Sequence, residues 1–117
     1  YDFWAELVDR GLKTTVESPE PTRSDCHAWA SHPVFHSAAS LFGLRPTAPG
    51  MSEVRIRPLP ASLPTMRGTV PSPFGDVRYD LSFESGQCAG EIILPEGMRG
   101  RFAWKDEEIP FTGWLEL

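Results

Sequence analysis

Cysteine is scarce in this chain, and what it has is badly placed for cross-linking. Cys26 and Cys88 fall in different parts of the 117 residues and make neither a disulfide framework nor a zinc knuckle. A reducing compartment, and so a cytoplasmic location, is the default expectation. Basic charge is also short: eleven Lys plus Arg stand against sixteen Asp plus Glu, a net charge of −5. No basic run interleaved with aromatics offers a footprint for nucleic acid. No apolar run reaches the roughly 20 residues of a membrane-spanning helix, and the first residues lack the basic and apolar regions of a signal peptide. Neither nucleic acid nor membrane is expected as a partner. There is no Gly-rich phosphate cradle, no G-x-S-x-G elbow and no H-E-x-x-H pair, so no cofactor is expected. His32 and His36 stand four apart as zinc ligands on a helix do. Pro33 spoils that reading by making His32 a cap outside the regular helix, and no metal site is assigned.

What is present suits a folded chain: 40% hydrophobic residues, 11% aromatics and four Trp. The length allows one ordinary domain, or a small domain carrying a fragment of its neighbour, and the pattern favours the second. Phe3, Trp4, Leu7 and Val8 share one face of a helix over residues 1–12, with Asp2 able to cap its start. The two prolines of SPEPTRS, residues 18–24, then force a loop. A second helix is predicted from Pro33 to Phe42, closed by Gly43, with apolar side chains round most of its circumference. Two such helices need partners for their stripes. One outcome is self-association, visible as a concentration-dependent dimer in sedimentation.

Residues 45–50, RPTAPG, read as a linker, and beyond it the apolar period changes from helical to alternating. The domains are therefore drawn as 1–47 and 48–117. Val54 and Ile56 alternate with Arg55 and Arg57, and Val77, Tyr79, Leu81 and Phe83 alternate with Arg78, Asp80 and Ser82. Further strands are expected over residues 66–70, 87–94, 99–105 and 109–116, with turns at Phe74-Gly75-Asp76, Ser85-Gly86, Pro95-Glu96-Gly97 and Asp106-Glu107. Short strands between Gly/Pro turns indicate an antiparallel β-sandwich, jelly-roll-like, giving an α+β chain.

The stretch TTVESPEPTRSDCHAW, residues 14–29, sets an acid, an imidazole and an indole in one irregular segment. Followed by SHPVFHSAASLFGLRPTAPG and MSEVRIRPLP, and later by MRGTVPSPFGDVRYDLSF, it resembles the C-terminal part of the bacterial α-L-rhamnosidases, a family of inverting glycoside hydrolases. The resemblance runs from about Gly11 to Phe83. It implies the last helices of an (α/α)6 barrel followed by a C-terminal β-sandwich. The implied reaction is hydrolysis of terminal α-L-rhamnosides, and the implied partners are a rhamnose-containing glycoside and an N-terminal catalytic barrel missing from this chain. Tyr1 in place of Met fits a chain that begins upstream.

Glycoside hydrolysis usually needs two carboxyl groups. The resemblance places the general base at Glu17 and the general acid in an earlier barrel loop, so the fragment is expected to be inactive alone. Glu20 is the rival acid, and from the residues alone a Glu in such a loop is a solvated charge or a partner for Arg23. His27 falls at the family's sugar-binding histidine; an imidazole can donate at one nitrogen and accept at the other. Asp25 and Ser24 read as local backbone-bonding residues that aim His27. Trp29 reads as structural or as a flank of the site, and Cys26 as a small buried residue. The competing reading is a non-enzymatic carbohydrate-binding or interaction module using Trp104, Phe111 and Trp114. Against it, Phe102 and Trp104 alternate with Arg101 and Lys105 as core-facing side chains do.

Overall fold

The computed structural model describes residues 2–18, 21 and 23–117. The chain divides into two units between Ser37 and Ala38. In the first, the amphipathic pattern becomes helix α1, Asp2–Asp9. Leu7 is its buried residue, whereas Val8, expected on the same apolar face, stands exposed. Further along, the chain makes a 3₁₀ turn, Ala28–Ser31, and enters helix α2, His32–His36. His32 is thus the first helical residue, with Ser31 before it at the cap position. A π-helical turn, Ser37–Leu41, follows directly. The single helix expected from Pro33 to Phe42 is in fact this α-to-π succession. Its apolar residues divide accordingly: Ala39 and Phe42 are buried, while Val34 and Phe35 face outward.

In the second unit eight strands form two sheets. They are β1 Leu44–Pro46, β2 Glu53–Ile56, β3 Thr65–Ser72, β4 Gly75–Glu84, β5 Gln87–Ile93, β6 Arg99–Trp104, β7 Glu107–Thr112 and β8 Trp114–Glu116. One sheet has the order β1-β2-β6-β7 and the other β3-β4-β5-β8. The α+β class and sandwich-like sheets are as the sequence indicated, with one exception to antiparallel pairing: β2 and β6 run parallel, Glu53 opposite Arg99 through Ile56 opposite Phe102. A parallel neighbour needs a long crossover, and β3, β4 and β5 in the other sheet supply it.

Alternation places one face of each sheet in a shared core. Val54, Ile56, Val77 and Ile92 are inaccessible to solvent, and Phe42, Leu44, Leu81, Leu94, Met98 and Phe102 join them. Each such side chain contributes about 1.5–3 kcal/mol by burial. Phe102 and Trp104 face this core as their spacing indicated.

Two sequence readings change here. The supposed linker, residues 45–50, contains most of β1, which pairs antiparallel with β2 through Leu44 opposite Ile56 and Pro46 opposite Val54. The β domain therefore begins before residue 48. The expected strand over 109–116 is two strands, because Gly113 at φ +68° turns the chain from one sheet into the other. A smaller shift moves the β6–β7 turn to Lys105-Asp106, with Trp104 opposite Glu107.

Candidate functional site

The loop that carries the acid is closed at its neck by backbone pairing. The Glu17 N–H donates to the Ser24 carbonyl at 2.9 Å, and the His27 N–H donates to the Thr15 carbonyl at 2.7 Å. The Thr15 hydroxyl returns a bond to the His27 carbonyl at 2.8 Å, and the Thr14 hydroxyl donates to the Asp25 carbonyl. Residues 14–17 and 24–27 thus run side by side. Val16, almost wholly buried, anchors the first segment. Pro19, Glu20 and Thr22 lie outside the described residues, and with them the rival acid Glu20.

The Glu17 side chain is only 9% exposed. Arg23 grips it with a fork: Nε donates to Oε2 at 3.1 Å and Nη2 to Oε1. The fork holds the Glu17 carboxyl below the usual glutamate range; desolvation pulls the other way, and the nearby charge of His27 lowers it further. The same contact raises the Arg23 pKa. Such a carboxylate is ionised at neutral pH.

A cavity of about 440 Å³ opens beside it, lined by Phe3 and Trp4 of α1, by Val16, Glu17 and Ser18, and by Trp29, Ala30 and His32. The Trp4 indole donates to the Ala30 carbonyl at 2.8 Å, tying α1 to the 3₁₀ turn, and its ring meets His32 edge-on at 5.0 Å between centroids. The lining is mostly apolar, with Phe3, Trp4 and Trp29 among it, and carries a few polar groups, the composition of a small-ligand site. Glu17 is the one carboxylate lining this cavity among the described residues.

Of the residues singled out in the sequence, Glu17 and Trp29 share this cavity. His27 does not line it directly; its ring lies against Trp29 at 4.5 Å between centroids. Asp25 is exposed and contributes its backbone carbonyl rather than its carboxylate. Ser24 bonds locally, its hydroxyl reaching the Cys26 carbonyl at 3.3 Å. Cys26, expected to be buried, is an exposed free thiol, whereas Cys88 is half-buried. The Thr15 clamp on His27 has only the adjacent Thr14-Thr15 pair as its signal in the sequence. His32 and His36 stack edge to face at 5.4 Å, and no cluster of three metal-binding side chains occurs among the described residues.

The family model described as "Bacterial alpha-L-rhamnosidase C-terminal domain" matches residues 43–108, more than half of the chain. No curated protein matches. Among solved structures, an α-L-rhamnosidase of Streptomyces avermitilis complexed with L-rhamnose is similar over 95% of this chain, with a TM-score of 0.71 and 21% identity. An α-L-rhamnosidase from Dictyoglumus thermophilum is similar over 85%, with a TM-score of 0.66 and 16% identity. At these identities the likeness is one of fold. The chain spans only 14% and 12% of the two structures' lengths.

Proposed function

The chain belongs to the bacterial α-L-rhamnosidase C-terminal domain family, and on that premise we propose that it forms the C-terminal part of an enzyme hydrolysing terminal α-L-rhamnosides with inversion. Glu17 is the general base: its carboxylate takes a proton from the water that attacks the anomeric carbon, on the face opposite the leaving group. His27 grips the sugar hydroxyls, and Trp29 flanks the ring. The general acid and most of the barrel come from residues N-terminal to this chain, whose helical segment before β1 completes the barrel's end.

The observation that carries this reading is an ionised, little-exposed carboxylate on the wall of a mostly apolar cavity. A volume of about 440 Å³ suits a single deoxyhexose with its attacking water. Inverting enzymes hold two carboxyl groups about 6.5–9.5 Å apart, and the cavity wall described here supplies one. The same reading accounts for the apolar side chains left exposed on the helical unit, Val8, Val34 and Phe35 among them, as surface that the rest of the barrel covers.

The test is turnover of 4-nitrophenyl α-L-rhamnoside. The isolated chain is expected to give none. In the longer protein carrying the barrel, Glu17→Gln should lower kcat by roughly 10²–10⁴ with little change in KM, and His27→Ala should raise KM. Turnover by the 117-residue chain, or full activity of Glu17→Gln, overturns the assignment.

A further inference from the structure

The outer face of the β3-β4-β5-β8 sheet carries a group of side chains that neither the core nor the rhamnosidase reading uses. Trp114 of β8 is 56% exposed, on the face opposite the inward-packed Leu115. Its indole is nonetheless fixed: Nε1 donates to Oε2 of Glu91 at 2.9 Å. Ile93, directly opposite Trp114 in the ladder, is also exposed, so the two make a continuous apolar shelf. Along the next rungs lie Arg78 opposite Ile93, and Asp80 opposite Glu91. Arg67 reaches across from β3 to hold Asp80, Nε to Oδ2 at 2.8 Å. Beside the shelf these groups enclose a depression of about 330 Å³, lined among others by Arg67, Arg78, Asp80, Glu91 and Ile93.

We propose that this face is a second carbohydrate site, binding a neutral pyranose by stacking it on Trp114. An indole offers a flat surface whose π cloud is negative on its face, which attracts the slightly positive C–H groups on one side of a pyranose ring. The hydroxyl rim of such a ring needs acceptors and donors at its edge. Glu91 and Asp80 accept, and the guanidinium groups of Arg67 and Arg78 donate in pairs.

The charges select the ligand class. Two cations face two anions, so the depression attracts neither an anionic nor a cationic sugar strongly. A 6-deoxy sugar gains further, because its methyl group can lie on Ile93. The bond from the indole to Glu91 presents the ring in one orientation before any ligand arrives, so little freedom is lost on binding. The other tryptophan and phenylalanine that a binding-module reading would recruit, Trp104 and Phe111, pack inward against the core and take no part.

This site stands apart from the reading of Glu17, and the experiment keeps them separate. The full 117-residue chain, ¹⁵N-labelled, is titrated with methyl α-L-rhamnopyranoside while the indole N–H resonances of Trp114 and Trp29 are followed. The expected result is a saturable shift of the Trp114 indole with a dissociation constant on the order of millimolar. Trp114→Ala should weaken binding at least tenfold. Glu91→Gln, which leaves every core-facing residue of β5 unchanged, should weaken it at least threefold and serves where loss of the indole loosens β8. A Trp114 resonance that does not move, a saturable shift confined to Trp29, or an unchanged dissociation constant in Glu91→Gln overturns the proposal.

Discussion

Phe42 is the most telling side chain to remove. It follows the π-helical turn, has no solvent exposure, and lies flat on Tyr79 of β4, with ring centroids 3.7 Å apart and planes 9° from parallel. Burial there is deep enough to raise the pKa of the Tyr79 phenol. Truncating a buried phenylalanine to alanine costs about 3–5 kcal/mol, from lost transfer energy and the cavity left behind. Against a total stability of about 4–12 kcal/mol for a unit the size of residues 38–117, that is a large fraction. With a urea m-value of about 1.3 kcal/mol/M, the midpoint of Phe42→Ala should fall by roughly 2–4 M. Phe42→Leu keeps most of the apolar volume and loses the stack, so it should cost about 1–2 kcal/mol. A cycle with Tyr79→Leu isolates the ring–ring part, about 0.5–1.5 kcal/mol. Leu59→Ala, at an exposed neighbouring position, should stay within about 0.5 kcal/mol. The assay is equilibrium urea unfolding followed by circular dichroism. A loss below about 1.5 kcal/mol in Phe42→Ala with unchanged m would refute the claim that this ring is a keystone of the sandwich.

Two further predictions concern titratable groups. Because Glu17 has a lowered folded-state pKa, its stabilising contribution is present in full above the ordinary value of 4.5 and is lost as pH falls through the folded value. Arg23→Ala should bring the Glu17 carboxyl resonance to titrate at higher pH and remove that acid sensitivity; an unchanged titration would mean that the fork does not form in solution. Burial pushes the Cys88 thiol up to about 11, so at pH 8 roughly one molecule in a thousand carries the reactive thiolate. Iodoacetamide should therefore label exposed Cys26 first, and Cys26→Ser should abolish labelling until urea is added. Rapid alkylation of Cys88 in the folded protein would contradict its burial.

Much of this fold was legible because a sheet with one buried face writes a period of two into its sequence. Val54 and Ile56, and Val77 through Phe83, announced β2 and β4 in that way. What escaped notice lacked a period. Strand β1 has three residues, one of them Pro46, inside a Pro-Thr-Ala-Pro-Gly context that reads as a linker, and only its pairing with β2 makes it a strand. The parallel seam between β2 and β6 is a property of the crossover, which local pattern does not encode. The segment from Pro33 to Phe42 reads as one buried helix because its apolar residues recur all round it, whereas Val34 is exposed and Phe42 is buried. At the candidate site the residue types were readable, and so was Arg23 as a partner for Glu17. The Thr15 clamp depends on the closure of the loop neck, which spacing alone does not reveal.

The two units also differ in how far each satisfies its own side chains. The sandwich buries ten residues in one continuous core and keeps its charges outside in ladders such as Arg55 with Glu108, and Arg101 with Glu53. The helical unit buries few side chains and leaves Val34 at 80% and Trp29 at 63% exposed, although isolated helices as short as α1 and α2 are marginal in water. Its order rests on the loop-neck hydrogen bonds, on Val16 and on the Trp4 indole. On the proposed reading this division has a chemical consequence. The base Glu17 sits on the unit with the weaker core, so its position relative to a sugar is set by whatever covers Trp29, Val34 and Phe35. Activity and stability of the helical unit should then rise together when the barrel is supplied, while the sandwich melts independently of it.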